Sequence, residues 1–222
     1  MKRPLAAALV LFAASAVFLG KGAWIFAKAQ VAQVLLARAW DETRAGSRAV
    51  KPWPWADTWP VARLTVPRLG VEEIVLAGGN GQAMAFGPGH LSRSATPGSA
   101  GNVVLTGHRD THFRFLRDLR PGDEILLEAA QGPVRRYRVT GTAVVDFHDR
   151  RPLAASREPS LTLITCYPFD AIVPGGSLRY VVRAVASPQI AEYSTRVPTA
   201  HFDAPWRTSY TRLHGRARQD NP

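Results

Sequence analysis

The chain has 222 residues, of which 46% are apolar and 20% charged; this lies in the globular range, which excludes wholesale disorder and leaves room for one domain with attachments. A net charge of +11 is spread along the chain: seven basic residues against two acidic over 1–50, 16 against 12 over 51–188, and five against three over 189–222. No segment forms the dense basic face that nucleic-acid binding requires, and a single cysteine, Cys166, excludes an internal disulfide, a CxxC redox pair and a thiolate-only zinc site.

Residues 1–40 read as a signal anchor and helical stalk. Lys2 and Arg3 precede an apolar run from Leu5 to Leu19 that only Ser15 interrupts, the pattern of an export signal. The run is slightly short of the ~20 residues a spanning helix needs, but Gly22-Ala23-Trp24-Ile25-Phe26-Ala27 resumes it after Lys21. Ala14-Ser15-Ala16 has the small-x-small form of a cleavage site, so a mature chain beginning at Val17 is the alternative. Trp24, Ala27, Val31, Leu35 and Ala39 then keep a helical spacing. The short charged leader favours an N-in, C-out orientation, with the folded domain outside the cytoplasmic membrane. An unpaired thiol is a liability in that oxidising setting, which favours a chemical role for Cys166.

Residues 41–60 form a Pro/Trp-rich linker; over 51–60 Pro and Trp alternate, at Pro52, Trp53, Pro54, Trp55, Trp59 and Pro60, which excludes helix there and gives a semi-rigid extended entry, with its Trp rings expected at the domain edge. The body, 61–188, shows eight short β-type runs between turn residues, at 62–66, 73–77, 102–106, 124–128, 134–140, 142–147, 161–166 and 178–186. Such a pattern predicts an all-β barrel or sandwich. One short helix is expected over 112–119, stopped by Pro121-Gly122-Asp123. Gly78-Gly79-Asn80-Gly81 and Pro97-Gly98-Ser99-Ala100-Gly101 lack the Lys-Ser/Thr of a phosphate-binding loop and open no helix. Residues 189–222 are a polar C-terminal extension without a functional reading.

The chemistry gathers at strand ends. Leu161-Thr162-Leu163-Ile164-Thr165-Cys166 alternates like a strand and stops before Pro168, which cannot donate to a ladder. Alternation puts Thr162, Ile164 and Cys166 on one face and Leu161, Leu163 and Thr165 on the other. Arg179 opens the next strand, so Cys166 and Arg179 lie at the same sheet end if the two strands are neighbours. Val103-Val104-Leu105-Thr106-Gly107-His108 is another strand that ends in a Gly and delivers a His. A thiol needs a base or cation to become a nucleophile, and an acyl-transfer intermediate needs a donor for its oxyanion; Cys, His and Arg supply both.

Thr162-Leu163-Ile164-Thr165-Cys166 resembles the TLxTC signature of sortases, Thr106-Gly107-His108-Arg109 resembles the segment around their catalytic histidine, and Arg179 falls at the position of their arginine. The resemblance spans roughly 61–185. The fuller strings Thr106-Gly107-His108-Arg109-Asp110-Thr111-His112-Phe113 and Thr165-Cys166-Tyr167-Pro168-Phe169, with Gly87-Pro88-Gly89-His90 ahead of them, are most similar to the sortases of Gram-negative bacteria, class GN.

The resemblance implies an eight-stranded β-barrel with short connecting helices, and a cysteine transpeptidase; no cofactor is expected, because the sequence shows no metal cluster. Cys166 is then the nucleophile, His108 the acid–base group and Arg179 the substrate and oxyanion holder, with Thr165, Thr162 and Tyr167 as substrate-binding residues. The implied partner is an exported protein with a C-terminal LPxTG-like sorting signal, and the implied location is the inner membrane, with the catalytic domain on the periplasmic side. Competing readings are a cysteine endopeptidase that hydrolyses the same signal and a membrane-tethered binding module with a dead site. An L,D-transpeptidase-like enzyme would carry a compact Ser-His-Gly-Cys segment, absent here. His90, His108, His112 and His148 lack a strand-matched partner set for a metal.

Overall fold

In the computed structural model, residues 2–187 are described except Asn80 and Pro174; the extension read over 189–222 lies outside the described residues. Eight strands, β1 (Pro60–Val66), β2 (Val71–Ala77), β3 (Gly89–His90), β4 (Asn102–Thr106), β5 (Glu124–Ala129), β6 (Val134–Asp146), β7 (Ser160–Cys166) and β8 (Leu178–Ala186), close into a barrel in the order β1-β2-β3-β4-β7-β8-β6-β5. Alternation drives the closure. In β1 the side chains of Ala62, Leu64 and Val66 are buried while Val61, Arg63 and Thr65 between them are half-buried, and the inward set joins Leu105, Leu127, Leu161, Leu163 and Val182 in one core.

The all-β barrel is the architecture the sequence predicts, with two strands drawn differently. The runs at 134–140 and 142–147 are one strand, β6, because Gly141 does not end it: pairing passes from Val139↔Ala184 to Gly141↔Arg183, leaving Thr140 as a bulge whose hydroxyl donates to the Arg183 carbonyl at 3.1 Å. The eighth strand is instead β3, two residues wedged parallel to β2 and antiparallel to β4. It needs Gly89, since a Cβ there would sit 2.2 Å from the Gly78 carbonyl oxygen. The helix expected over 112–119 is a 3-10 turn, Arg114–Asp118, seated by buried Phe115 and Leu116. A short helix, α2 (Gly81–Met84), begins at the last residue of the Gly78–Gly81 segment.

The stalk is a docked element over its C-terminal part. A single helix, α1 (Lys2–Arg44), buries Ala32, Leu36, Ala39, Trp40 and Thr43, a stripe at helical spacing, against the barrel. Polar contacts fix the same face. Gln33 Nε2 donates to the Phe86 carbonyl at 3.0 Å, Gln131 Nε2 donates to the Thr43 carbonyl at 2.8 Å, and Arg44 pairs with Glu128, a residue only 7% exposed that also accepts from Arg63 Nε at 2.8 Å. The Arg63 guanidinium lies 5.9 Å from the Trp40 ring centre. In the Pro/Trp segment, Trp53 packs edge-on to Phe86 at 4.9 Å whereas Trp55 is exposed. Towards the N-terminus, Phe18, Trp24, Ile25 and Phe26 are exposed. Among the described residues, no helix is long and apolar enough to cross a membrane.

Candidate active site

β7 carries Leu161, Leu163 and Thr165 into the barrel and leaves Ile164 and Cys166 half-buried on its outer side, with Cys166 the last residue of the strand and a free thiol. Thr162 faces the same outer side but is fully buried, and its hydroxyl is satisfied there by donating to Asn102 Oδ1 at 2.8 Å, while Asn102 Nδ2 donates to the carbonyls of Pro152 and Ala154. Beyond the thiol, Tyr167 N donates to the Leu178 carbonyl at 3.0 Å, closing the base of the loop that returns as β8. The Tyr167 ring lies stacked on Tyr180 with centres 6.2 Å apart, and Phe169 meets Tyr180 edge-on at 5.2 Å.

β7 and β8 are antiparallel neighbours, and Cys166 and Arg179 are direct partners on that ladder. Facing partners share one side of a sheet, so both side chains leave the barrel together. The Arg179 guanidinium is held by its own loop: Nη1 donates to the Gly176 carbonyl at 2.7 Å and the Leu178 carbonyl at 2.8 Å, and the group lies 5.6 Å from the Phe147 ring centre.

β4 flanks β7 on the other side, in parallel, with Thr106 opposite Ile164. The pairing runs one residue further, since Gly107 N donates to the Ile164 carbonyl at 3.2 Å and the buried Thr165 hydroxyl donates to the Gly107 carbonyl at 2.7 Å. The next residue, exposed His108, therefore stands level with Cys166. Gly107 is required for this path, because a Cβ there would lie 2.8 Å from Cγ of the fully buried Phe113 ring. The register thus brings His108, two residues past the end of β4, level with Cys166 and Arg179 along three adjacent chain segments. Thr165 and Thr162 hold neighbouring strands, and Tyr167 borders the thiol.

The other histidines among the described residues are engaged elsewhere. His112 Nδ1 is 2.9 Å from Glu73 Oε2; burial depresses its pKa, but the Glu73 hydrogen bond and charge, together with a bond to the Ala85 carbonyl, outweigh burial and raise it. A cleft of about 280 Å³ opens beside this pair, lined by Val71, Thr111, Arg114 and Phe115 among others, and neither Cys166 nor Arg179 lines it. His90 bonds to the Ala95 carbonyl at 2.9 Å, and burial lowers its pKa in spite of that bond. Exposed His148 pairs with Asp146. Among the described residues there is no group of three or more His, Cys, Asp or Glu that could hold a metal ion.

Sequence reasoning passed over Arg109 and Phe147. Arg109 is only 7% exposed, with Nη1 donating to the Pro168 carbonyl and Nη2 to the Ala171 carbonyl, both at 2.6 Å. Its place beside His108 in Thr106-Gly107-His108-Arg109 was the available signal; its partners, 59 and 62 residues away, were not.

Residues 64–187 match the family model of the Sortase domain. Sortase D of Bacillus subtilis (strain 168) is 33% identical over 120 residues, which are 54% of this chain and 60% of that protein, so the chain spans less than two thirds of that relative's length. Among solved structures, Sortase A from Corynebacterium diphtheriae superposes with a TM-score of 0.54 at 29% identity, over 61% of this chain and 64% of that one. A Clostridium perfringens Sortase D5 transpeptidase superposes with a TM-score of 0.51 at 26% identity, over 58% and 79%. With the family model covering more than half of its length and eight strands closed around one core, the chain belongs to the sortase family.

Proposed function

We propose that this chain is a membrane-anchored cysteine transpeptidase that cleaves an LPxTG-like C-terminal sorting signal and transfers the acyl fragment to an amine. The observation that carries the reading is the register: Cys166 opposite Arg179 on one side, and level with His108 on the other. The Cys166 thiolate attacks the carbonyl carbon of the signal's Thr, and the oxyanion that forms is stabilised by the Arg179 guanidinium, a planar fork that a lysine does not reproduce. The Thr–Gly C–N bond then breaks as protonated His108 gives its proton to the departing Gly amine, leaving a thioester on Cys166. An acceptor amine attacks that thioester, gives a proton to His108 and breaks the C–S bond, which returns the thiolate. Tyr167 borders the thiol and contacts the signal, while Thr165 and Thr162 serve the site by fixing β7 to its neighbours.

Anchoring is part of the same reading. The apolar run from Leu5 to Leu19, its continuation through Phe26 and the exposure of Phe18, Trp24, Ile25 and Phe26 support a helix seated in the inner membrane, with the barrel on the periplasmic side. A substrate held in that membrane by its own tail meets the enzyme at high effective concentration. The class GN strings around His108 and Cys166 support an envelope with two membranes, and so an acceptor drawn from its amines.

The deciding experiment incubates the full chain in detergent with a panel of sorting-like peptides and amines, followed by mass spectrometry. A peptide cleaved after Thr and joined to the amine is the expected product. Cleavage with water as sole acceptor identifies an endopeptidase, and absence of any Cys166 thioester identifies a binding module.

A further inference from the structure

We propose that Arg109 is a positioning residue that latches the loop following Cys166 onto the strand end carrying His108, so that thiol, imidazole and the signal-facing loop move as one body. The inference rests on the transpeptidase reading of the site. The loop between β7 and β8 is tied at its base, where Tyr167 N meets the Leu178 carbonyl and Phe147 N meets the Ser177 carbonyl. Further out it carries an exposed apolar pair, Ile172 and Val173, 97% and 76% exposed. Phe169 packs near the base of the loop, against Tyr180 and the core, but Ile172 and Val173 contribute no burial to its outer part. Its internal backbone bond, Ala171 N to the Pro168 carbonyl, is long at 3.4 Å. Arg109 supplies what is missing: from a buried position one residue after His108, its two terminal nitrogens reach carbonyls on either side of that weak turn, each at 2.6 Å. Bonds of that length from a guanidinium are charge-assisted, and a planar fork meets two acceptors at fixed spacing, which a lysine cannot do.

The two ties between strand ends act in concert. Thr165 bonds the Gly107 carbonyl just before Cys166, and Arg109 bonds the Pro168 and Ala171 carbonyls just after it. Cys166 is therefore held to the His108 segment from both sides. A misplacement of about 1 Å in such a site costs on the order of 100-fold in rate. Arg109 Nε meets Asp110 at 3.2 Å, but that carboxylate is 70% exposed, so its pair with Arg109 is screened and the latch depends on the two carbonyls.

The test compares Arg109→Lys, Arg109→Met and the control Asp110→Asn in the full chain, reading amide hydrogen exchange and the kinetics of thioester formation with a sorting-like peptide. Exchange over residues 167–176 is expected to quicken about tenfold or more in Arg109→Met, while the strand amides of β1 and β5 keep their protection. KM should rise and kcat/KM fall on the order of 100-fold, with Arg109→Lys between Met and wild type and Asp110→Asn unchanged in loop exchange. Wild-type exchange over 167–176 in both Arg109 variants overturns the latch. So does loss of protection in step throughout the barrel in both, which marks a merely structural arginine, and so does a loop that opens with kcat and KM unaltered. If the wild-type chain forms no thioester, the transpeptidase reading fails, and the exchange data alone still decide whether Arg109 holds the loop.

Discussion

Cys166 and Arg179 face each other as direct partners on the β7–β8 ladder, and four residues further along β8 Arg183 faces Thr162 from the same side. The two arginines differ in what lies opposite them, a thiol or a hydroxyl already bonded to Asn102. Arg179→Lys is expected to lose about 100-fold or more in kcat/KM for peptide transfer, the scale for removing an oxyanion donor. Arg183→Ala should retain near wild-type turnover. A benign Arg179→Lys beside a crippled Arg183→Ala would move the oxyanion site four residues along β8, to the Thr162 position.

The same ladder logic separates the histidines. His108 ends the segment that Gly107 and Thr165 bind to β7, whereas His112 is bonded to Glu73 and the Ala85 carbonyl. His108→Ala should therefore abolish transfer with little change in unfolding temperature, because the side chain is exposed. His112→Ala should lower stability and leave the pH profile of kcat in shape. Measured kcat against pH for both variants distinguishes them, and a dead His112→Ala with an active His108→Ala would relocate the acid–base group.

The pair of His112 and Glu73 has its own pH signature. Its raised pKa means that the folded state binds the proton more tightly than the unfolded chain does. The stabilisation is thus fully present below the ordinary histidine value of about 6.5 and disappears as pH rises through the higher folded-state pKa. Unfolding midpoints measured from pH 6 to 9 should fall across that window. In Glu73→Gln the fall should flatten, since the carboxylate that holds the proton is gone. An equally steep decline in Glu73→Gln would assign it to another group.

Strand ends and the residues they deliver were legible because they depend on local pattern: β4 and β8 have the limits that alternation and turn residues predict, Cys166 ends β7, Arg179 is the second residue of β8, and His108 follows the end of β4 by two residues. What was illegible depends on partners distant in sequence. Two residues, Gly89 and His90, are too few for any period, and they form β3 only because Leu76 and Thr106 flank them. Gly141 looks like a breaker in isolation, but the β8 ladder carries the strand past it as a bulge. The stripe of Leu36, Ala39 and Trp40 has the spacing of any amphipathic helix, and nothing in that spacing tells a free stalk from a docked one.

The docked helix yields the last prediction, which concerns where the folded unit begins. The Pro/Trp segment marks Lys51 as a natural start for a soluble domain, yet Leu36 is fully buried in a cluster with Leu76 and Ala83, and Trp40 is 3% exposed. A chain starting at Lys51 would uncover that surface and leave Glu128 without Arg44. Trp40→Ala in the full chain should cost about 3–5 kcal/mol and Leu36→Ala about 2–5 kcal/mol, the ranges for emptying buried sites of those sizes. Val31→Ala, on the exposed side of the same helix, should be nearly neutral in chemical denaturation. The chain from Lys51 should unfold at a lower denaturant midpoint than one that begins before Ala32, with a smaller slope because less surface is exposed on unfolding. Equal midpoints for the two chains, or an unaffected Trp40→Ala, would show that the barrel is complete without the helix.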